Sequence, residues 1–588
     1  MNLDESRIEL LRMRLRSLVL HGAESERKDL EELFALSVAE RVDGGDCERG
    51  LLLVGPPDPD GRIRLKAKEF GAKFREGDPL YLGNSDIVEY GMPVQFGAWD
   101  ADKQEMWVVR DRFERSPASE LYSGSEYRLD RRGLGLERLL LEGLDSVFHP
   151  ENRHVLEILL GEAGGGQDEA RRAEGHRRAR EVGFTDAQCD AMADAVSTED
   201  VCLIQGPPGT GKTRVLAEIA LFLAQRRCRL FLCAFTHRAV DNVLLALRKL
   251  SPDLPLVKLG KQSEELRQAG IRSGSKLERL ALPGGGIVVG GTSFAARKFS
   301  KDRRFHFVLI DEAGQVPVVH GAIAMTQARR AILVGDPAQL APVHKSRRGD
   351  EEYETSIYSF LEGHYPGRLL DQSFRMNEEL CDVISRCFYD GRLRASDASS
   401  QRRLRLQEGG PHAELLDPER PLIWARVDHL GRRRRSPEES ALIAELVASL
   451  RLHHDVPASE IAILTPYRAQ IRDIRGVLEA RGLLDPDLVV DTVERMQGQE
   501  REVVLLSLVS SDRDDLERQA SFFYQPGRLN VCLSRARSKC IVVASRHAFR
   551  ARPKDLAAFQ DVSKFKTLAR SLVQVDMSRS HGGFTSRI

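Results

Sequence analysis

The residues from Gly206 to Thr213, GPPGTGKT, have the types and spacing of a phosphate-binding loop. They follow the apolar run VCLIQ and precede the helical pattern RVLAEIALFLA, which is the strand–loop–helix context that such a loop requires. Glycines allow successive backbone N–H groups and a helix N-terminus to point at phosphates. The segment therefore predicts nucleoside triphosphate binding by Gly206, Pro207, Pro208, Gly209, Thr210, Gly211, Lys212 and Thr213.

Within this loop, two side chains are expected to do chemistry. Lys212 places a cation on the β and γ oxygens, and the Thr213 hydroxyl is a ligand for Mg²⁺. Downstream, the apolar strand FVLI ends in Asp311 and Glu312. Such a pair is often a solvated turn, but after a phosphate loop in the same sheet it predicts catalysis. Asp311 is then expected to hold Mg²⁺ through water, and Glu312 to orient and deprotonate the attacking water.

Six segments in order along the chain resemble the motifs of superfamily 1 helicases, in the up-frameshift and Senataxin-like branch called superfamily 1B. The resemblance covers roughly residues 183 to 548. Phe374 and Asn377 replace the tyrosine and histidine of the family's YRMH motif, and Ser534 replaces a threonine. The six segments are DEAGQ at 311–315, GDPAQLAP at 335–342, QSFRMN at 372–377, ILTPYRAQ at 463–470, DTVERMQGQE at 491–500 and RLNVCLSRAR at 528–537.

The resemblance implies how the nucleoside would be held. Gln188, upstream of the loop, resembles the family's adenine-reading glutamine, and an amide can donate to and accept from the adenine edge at once. Phe374 keeps an aromatic face that can stack on the adenine ring. Glu500 resembles the family's ribose contact and lies in the same motif as Gly498.

It also implies a set of γ-phosphate contacts. Gln339 would sense the γ-phosphate from the first lobe, and Arg375 and Arg535 would reach it from the second. Arginine suits this role because its planar fork spreads charge over phosphate oxygens and stays protonated. Arg537 is either a third cation in the cleft or a surface arginine.

Nucleic acid is expected to lie along the carboxyl ends of the strands. Hydroxyls and backbone amides there can hold phosphates without reading sequence, and Tyr467 could stack on a base. Hydroxyls at these positions also cap helices. The run from Arg432 to Arg435 is either a solvated loop or a phosphate contact. The expected contacts are Thr236, His237, Thr292, Ser293, Thr465, Pro466, Tyr467, Arg468 and Thr492.

The elements that position these residues predict an α/β fold. Short apolar runs alternate with helical patterns twice, which predicts two tandem RecA-like P-loop NTPase domains. Before them, period-two runs between Gly, Pro and Asp predict a mainly-β, barrel-like accessory domain, and FREGDPLYLG resembles a turn of the family's barrels. The predicted segments are 1–125 (accessory domain), 126–182 (helical linker), 183–348 (first lobe), 349–550 (second lobe) and 551–588 (helix and disordered tail).

The composition fits an ordinary globular protein whose net charge is zero, so the charge of the whole molecule does not attract polyanions. Its 588 residues include 88 Lys plus Arg against 88 Asp plus Glu, and 41% are hydrophobic. Nine cysteines without a CxxC pair indicate a reduced, intracellular protein. No apolar stretch is long enough to span a bilayer. We therefore expect a cytoplasmic protein, without a membrane partner and monomeric.

Together these features predict an ATP- and Mg²⁺-dependent helicase or translocase on single-stranded DNA or RNA, moving 5′ to 3′ as the resemblance implies. One alternative is a nucleic-acid-stimulated ATPase or remodeler that does not unwind processively. A second, an AAA+-type ATPase, shares the GPPGTGKT loop but takes its arginine fingers from neighbouring subunits, whereas this chain has its own. A fused nuclease is not indicated by any convincing acidic-lysine cluster.

Overall fold

The computed structural model describes residues 4–58, 61–68, 70–74, 76–84, 88, 91–100, 102–111, 121–122, 125–133, 135–260, 262–274, 285–296, 305–342, 353–496, 498–553 and 555–577. The tail predicted to be disordered, from Ser578 onward, lies outside these residues. The described chain forms two compact units. One contains residues 4–145 and 353–354, and the other contains residues 146–342 and 355–577.

In the first unit, a long helix precedes an antiparallel barrel. The Asp4 side chain accepts the Ser6 N–H at 2.9 Å and so caps the opening helix. The strands alternate buried and exposed residues, as in β2, where Ile63 and Leu65 point inward. The strands close in the order β1-β2-β5-β4-β3-β6. The elements are α1 (Glu5–Ala35), α2 (Val38–Gly44), β1 (Cys47–Leu53), β2 (Arg62–Lys66), β3 (Pro79–Gly83), β4 (Met92–Asp100), β5 (Glu105–Arg110), β6 (Glu126–Arg131) and α3 (Glu137–Val147).

Strand β6 contradicts the predicted domain boundary at residue 125, because it pairs with both β1 and β3 and completes the barrel. The sequence of this strand is rich in charged residues, so its pattern did not predict an interior strand. Asp130 is only 1% exposed, and its carboxylate is held by Arg41 at 3.1 Å and Arg128 at 2.5 Å. A buried charge is tolerated when it is paired in this way, so a polar sequence here forms an interior strand.

The second unit contains two parallel α/β lobes. In the part of the first lobe that the structure describes, eight strands form one sheet in the order β10-β9-β11-β8-β12-β13-β7-β14. The elements of this part of the chain are α4 (Arg153–Leu159), α5 (Glu169–Glu181), α6 (Asp186–Ser197), β7 (Val201–Gln205), α7 (Lys212–Gln225), β8 (Arg229–Ala234), α8 (His237–Leu250), β9 (Leu256–Leu259), α9 (Glu264–Gln268), β10 (Arg272–Gly274), β11 (Ile287–Thr292), α10 (Ser293–Ala296), β12 (Phe307–Asp311), α11 (Val318–Met325), β13 (Arg330–Gly335), α12 (Ile357–Glu362) and β14 (Gly367–Leu369).

The second lobe has a parallel sheet with the order β19-β18-β20-β21-β17-β22 among its described residues, and a separate pair, β15 with β16. Its elements are β15 (Gln372–Ser373), α13 (Glu378–Phe388), β16 (Arg394–Ala395), α14 (Asp397–Ser400), α15 (Ala413–Leu416), β17 (Leu422–Arg426), α16 (Pro437–Ala448), β18 (Ile461–Leu464), α17 (Arg468–Ala480), β19 (Val489–Asp491), β20 (Arg501–Ser507), α18 (Arg513–Arg518), α19 (Ala520–Phe523), α20 (Pro526–Leu533), β21 (Ala536–Ala544), α21 (Leu556–Ser571) and β22 (Val573–Asp576).

Both sheets have strands buried on both faces, which explains their continuous apolar runs. All residues of β11 and β12 are buried, for example. In a parallel sheet all carboxyl ends meet at one edge, where α/β proteins bind ligands. The predicted fold class, two tandem RecA-like domains after a mainly-β domain, is confirmed.

Two strands lie outside the lobes to which the predicted boundaries assign them. Strand β14 follows residue 349 but pairs with β7 of the first lobe. Strand β22 follows residue 551 but pairs with β17 of the second lobe. The junction between lobes is short: Leu370 N–H donates to Gln205 O at 2.8 Å, and the next residue, Asp371, accepts from Arg394 N–H at 2.9 Å.

Two further features concern the environment of the chain. All nine cysteines are described and are free thiols. Among the helices that the structure describes, none is long and apolar enough to cross a membrane. Cytoplasmic localisation stays a prediction.

The barrel wall offers a test of packing at Gly97. A Cβ added there would lie 2.1 Å from Trp107 Cε3, because the indole lies against this glycine. We expect Gly97→Ala to destabilise the barrel by about 1–3 kcal/mol through overpacking, measured as a lower urea midpoint by tryptophan fluorescence. Gly22→Ala is the control, since its Cβ would meet nothing within 4 Å. Equal midpoints for the two variants would contradict the packing.

Candidate active site

The phosphate loop connects β7 to α7. Gly209 and Gly211 have φ values of +76° and +78°, which glycine adopts without strain. Gly211 is the N-cap of α7, so this helix N-terminus faces the loop. Lys212 Nζ donates to the carbonyl oxygens of Gly206 and Pro207. The loop can therefore surround an anion with backbone N–H groups and one ammonium group.

The second lobe touches this loop directly. Ser373 Oγ donates to Pro208 O at 2.9 Å, and Phe374 N–H donates to Gly209 O at 2.9 Å. A Cβ at Gly209 would lie 2.5 Å from Arg375 Cβ. Glycine at this position is therefore required by the approach of the second lobe as well as by its φ angle.

Asp311 and Glu312 lie at the carboxyl end of β12 in different environments. Burial, and then the charge of Glu312, raises the pKa of Asp311 to about 7. Glu312 lies on the cleft wall with φ +51°, a left-handed conformation that is unfavourable for a non-glycine residue. Gln315 Nε2 donates to Glu312 Oε2 at 3.0 Å. Backbone strain of this kind is concentrated at functional sites.

A buried hydrogen-bond chain crosses from the first lobe to the second. Gln339 Nε2 donates to Asp336 Oδ2 at 2.6 Å, and the Tyr389 hydroxyl donates to the same oxygen at 2.6 Å. Asn530 Nδ2 donates to the Tyr389 hydroxyl at 2.8 Å and to Ala338 O at 2.9 Å. Burial raises the pKa of Asp336. These groups fix the orientation of Gln339 relative to the second lobe.

Arg535 and Arg375 of the second lobe lie at the end of this chain of hydrogen bonds. Arg535 Nη2 donates to Gln339 Oε1 at 3.3 Å, and its Nη1 donates to Gln499 O at 3.2 Å. Burial, and then the charge of Arg375, lowers the pKa of Arg535 to about 10. Arg375 Nε donates to Glu500 Oε2 at 2.6 Å, and its Nη1 donates to Ser534 O at 3.0 Å. The Arg535 guanidinium therefore remains protonated at neutral pH.

These residues enclose a cleft of about 420 Å³. Four predicted residues are not among its lining residues: Gln188, Gly206, Pro207 and Asp311. Gln188 is 3% exposed and its amide is bonded to Thr185 N–H and Thr210 O, and its predicted contact with adenine stays a prediction. The cleft is lined by Pro208, Gly209, Thr210, Gly211, Lys212, Thr213, Arg214, Glu312, Gln339, Phe374, Arg375, Gly498, Glu500 and Arg535.

Comparisons with known proteins cover the same two lobes. A family model described as an AAA domain matches residues 353–547, and another with that description matches residues 183–351. A Schizosaccharomyces pombe protein, DNA replication ATP-dependent helicase/nuclease dna2, is 29% identical over 61% of this chain and 27% of its own length. The Xenopus laevis DNA replication ATP-dependent helicase/nuclease DNA2 is 30% identical over 61% of this chain and 37% of its own.

Six motifs in helicase order, matched domains in both lobes and relatives of this kind agree with one another. Together they indicate a superfamily 1 helicase. The chain spans less than two-fifths of the length of these two relatives, 27% and 37%. Among solved structures, an arterivirus nonstructural protein 10 helicase matches 89% of this chain and 79% of its own, with 15% identity and a TM-score of 0.38.

On the first lobe, the predicted nucleic-acid contacts follow the carboxyl ends of β8 and β11. Thr236 is exposed and caps α8 by accepting the Ala239 N–H at 3.2 Å. His237 is exposed beside it. Thr292 and Ser293 are buried, and Ser293 Oγ lies 3.1 Å from His320 Nδ1. Only Thr236 and His237 of these four present a surface to a ligand.

On the second lobe, burial contradicts two of the predicted contacts. Thr465 is 0% exposed, and Tyr467 is 7% exposed and belongs to the lobe core. The Tyr467 ring packs 6.3 Å from the ring of Phe522, which is itself 39% exposed. Tyr467 cannot stack on a base from this position. The other predicted contacts, Pro466, Arg468 and Thr492, are half-buried.

The structure also brings residues to the site that sequence reasoning missed. Asp336 and Asn530 lie inside recognised motifs, so their position along the chain was the available signal. Arg214 directly follows the phosphate loop. Tyr389 lies in none of the motifs and shows no signal in the sequence.

The cross-lobe chain predicts that the Tyr389 hydroxyl matters for turnover. We expect Tyr389→Phe to cost about 1–3 kcal/mol of stability by leaving Asp336 short of a donor, and to lower ATPase kcat because Gln339 loses its fixed orientation. Phosphate release and urea unfolding measure the two effects.

Tyr524→Phe is the matched control, since its buried hydroxyl donates to Ala548 O at 2.5 Å away from the cleft. It should lose similar stability and keep its kcat. A Tyr389→Phe protein with unchanged kcat would show that these hydrogen bonds between the lobes support the structure and do not affect turnover.

Proposed function

We propose that the chain hydrolyses ATP in this cleft and uses the energy to move along single-stranded nucleic acid. The observation that carries the proposal is the origin of the lining residues. Lys212 and Glu312 come from the first lobe, and Arg375 and Arg535 come from the second. A site completed by both lobes changes when the lobes move, which couples hydrolysis to motion.

In the proposed complex, the triphosphate lies against the loop. Lys212 exchanges its carbonyl partners for β and γ oxygens, and backbone N–H groups hold the remaining charge. Phe374, which is 44% exposed, stacks on the base. Glu500, beside Gly498 on the cleft wall, contacts the ribose while it orients Arg375.

Mg²⁺ fits the residues present. Thr213 offers a hydroxyl at the cleft wall, and Asp311 offers a buried carboxylate at the end of β12. Both are oxygen ligands of the type that Mg²⁺ prefers. When bound, the ion would neutralise charge on the β and γ oxygens.

For the hydrolytic step, Glu312 orients the attacking water and accepts its proton. Gln339 contacts the γ-phosphate from the first lobe, and the two arginines stabilise the charge of the transition state from the second. The hydrogen bond from Arg535 to Gln339 supports these roles, because it brings groups from both lobes together at this end of the cleft.

For the track, we propose single-stranded DNA. The names of the two relatives state DNA replication and helicase functions. Thr236, His237, Arg468 and Thr492 are accessible or half-buried near strand ends and can hold phosphates without reading bases. Superfamily 1B resemblance supports 5′-to-3′ movement. The second candidate is a nucleic-acid-stimulated ATPase or remodeler without processive unwinding.

Steady-state ATPase activity with single-stranded DNA, single-stranded RNA or no polymer tests the track. We expect DNA to stimulate turnover, and Lys212→Ala to abolish it because no cation then meets the β and γ oxygens. Stimulation by RNA alone would assign RNA instead. Duplexes with a 5′ or a 3′ overhang then separate the two candidates: unwinding from the 5′ overhang supports the helicase, and its absence with full ATPase supports the remodeler.

A second test addresses the arginines. We expect Arg535→Ala to lower kcat by about 10³ or more, as for arginine fingers in related NTPases, while nucleotide still binds. Arg528→Ala is the control, because Arg528 pairs with Glu494 and does not line the cleft. Equal losses in both variants would refute a specific role for Arg535.

A further inference from the structure

Four consecutive arginines, Arg432–Arg435, lie in the loop that connects β17 to α16, outside the six motif segments. Arg434 is exposed and has no ion-pair partner among the residues that the structure describes. Its three neighbours each pair with a carboxylate of the second lobe, so the loop presents one unpaired guanidinium group to solvent. The pairs are Arg432 with Glu438 at 2.6 Å, Arg433 with Asp512 at 3.1 Å and Arg435 with Asp473 at 2.6 Å.

Hydrogen bonds fix this arginine loop at both ends. At its start, Arg432 O accepts the N–H groups of Ser511 and Asp512 at 2.8 and 3.0 Å, and Ser511 Oγ accepts the Arg432 N–H at 3.0 Å. At its end, Ser436 N–H donates to Gln470 Oε1 at 2.8 Å, and Gln470 Nε2 donates to Ser436 O at 3.2 Å. Since Ser511 follows β20 and Gln470 lies in α17, the loop is held between these two elements.

A buried carboxylate supports the segment to which the loop is bonded. Glu439 is fully buried, and it accepts the Val509 N–H at 3.0 Å and the Ser507 hydroxyl at 2.6 Å. The ring nitrogens of His429 lie 2.8 Å from Glu439 Oε1 and 2.9 Å from Ser511 Oγ. Val509 has φ +67°, a left-handed conformation that is unfavourable for a β-branched residue. Such strain persists only where the surroundings fix it, and it is concentrated at functional sites.

Arg434 lies at the carboxyl edge of the second-lobe sheet, where the loop leaves β17. Burial, with a smaller contribution from Asp515, raises the pKa of Tyr467 to about 12, and the charge of Arg434 opposes this rise. Charges act on one another mainly within about 10 Å at ordinary salt, so the guanidinium group lies near the ILTPYRAQ segment. This is the edge along which single-stranded nucleic acid is proposed to move.

An unpaired arginine on an ordered loop suits a backbone phosphate, because its planar fork donates parallel hydrogen bonds to two oxygens. It gives up no carboxylate on binding, and an ordered loop loses little conformational freedom. We propose that Arg434 binds a backbone phosphate of single-stranded nucleic acid, and that its three paired neighbours hold the loop that presents it. The inference rests on the proposed movement along single-stranded nucleic acid and adds a contact that none of the six motif segments contains.

The first experiment measures binding of a fluorescein-labelled oligothymidylate to the full chain by anisotropy over a series of KCl concentrations. Each phosphate contact with a single strand contributes about −0.7 to the slope of the logarithm of the binding constant against that of the salt concentration. We expect Arg434→Ala to make this slope shallower by about 0.7 and to weaken binding equally for different base sequences. A wild-type slope in this variant would overturn the proposal.

Arg433→Ala is the matched control, because it removes the same charge from the same loop, but from an arginine that is already paired with Asp512. We expect it to keep the wild-type slope. Equal changes in the two variants would show an effect of net charge alone and would also overturn the proposal. Both side chains are exposed, and equal urea midpoints check that folded proteins are compared.

The second experiment releases a further cation on the same loop with Asp512→Asn. Asparagine can still accept the Asp515 N–H at the start of α18, but it no longer neutralises Arg433. We expect tighter binding and a slope steeper by about 0.7, because Arg433 then meets a second phosphate. Asp168→Asn is the control, since Asp168 also caps a helix and pairs with an arginine, but on the first lobe. Unchanged binding in Asp512→Asn would place the strand elsewhere.

ATPase activity separates this inference from the proposed function. A shallower slope for Arg434→Ala in a chain that hydrolyses no ATP would refute hydrolysis and leave the phosphate contact standing. DNA-stimulated hydrolysis together with a wild-type slope for Arg434→Ala would overturn this inference alone. The same comparison with oligouridylate covers an RNA track, because the phosphate is common to both polymers. A wild-type chain that binds neither polymer would refute both proposals.

Discussion

Between the phosphate loop and the segment Ser373–Arg375, two hydrogen bonds and one close approach hold the site in place. Ser373 Oγ and Phe374 N–H donate to consecutive loop carbonyls, those of Pro208 and Gly209. The missing side chain of Gly209 lets the backbone around Arg375 come this near. Phe374 and Arg375 are positioned by this contact, because both directly follow Ser373 in the chain.

Buried charge sets a second constraint. Asp311, Asp336 and Arg535 are nearly inaccessible to solvent, and isolated charges in such places are costly. Asp336 is compensated by donors from Gln339, Tyr389 and Ala338. Arg535 is compensated by carbonyl and amide oxygens. Since these donors and acceptors come from both lobes, separating the lobes leaves groups unsatisfied, and the closed arrangement is stabilised by polar contacts as well as apolar ones.

The sequence predicted the fold class well because parallel strands buried on both faces leave unmistakable apolar runs, as in FVLID and REVVLLS. It misplaced β6 because Asp130 is buried as an ion pair, and charge in a sequence favours exposure. It assigned β14 and β22 to the wrong segments because strands of three or four residues carry too little periodicity to show their sheet.

The sequence also predicted some residue roles better than others. Motif spacing identified the cleft-lining residues whose position follows from the neighbouring sequence, such as Lys212 and Glu312. It could not show that the Gln188 amide is already bonded to Thr185 and Thr210, or that Tyr467 turns into the core, because both depend on contacts between elements. Tyr389 reaches Asp336 across 53 positions of sequence, and no local pattern encodes such a pairing.

The junction at Leu370 and Asp371 has a mechanical consequence. Leu370 is bonded to Gln205, the residue before the phosphate loop, and Asp371 is bonded to Arg394 of the other lobe. Both residues are held by backbone hydrogen bonds, so rotation of one lobe relative to the other is concentrated in the torsion angles of the peptide unit that joins them. A junction of this kind allows the two lobes to rotate relative to each other, and it lies next to Gln205, the residue before the phosphate loop. A small rotation at this junction therefore displaces the distant edges of the two sheets more than it displaces the residues beside the loop.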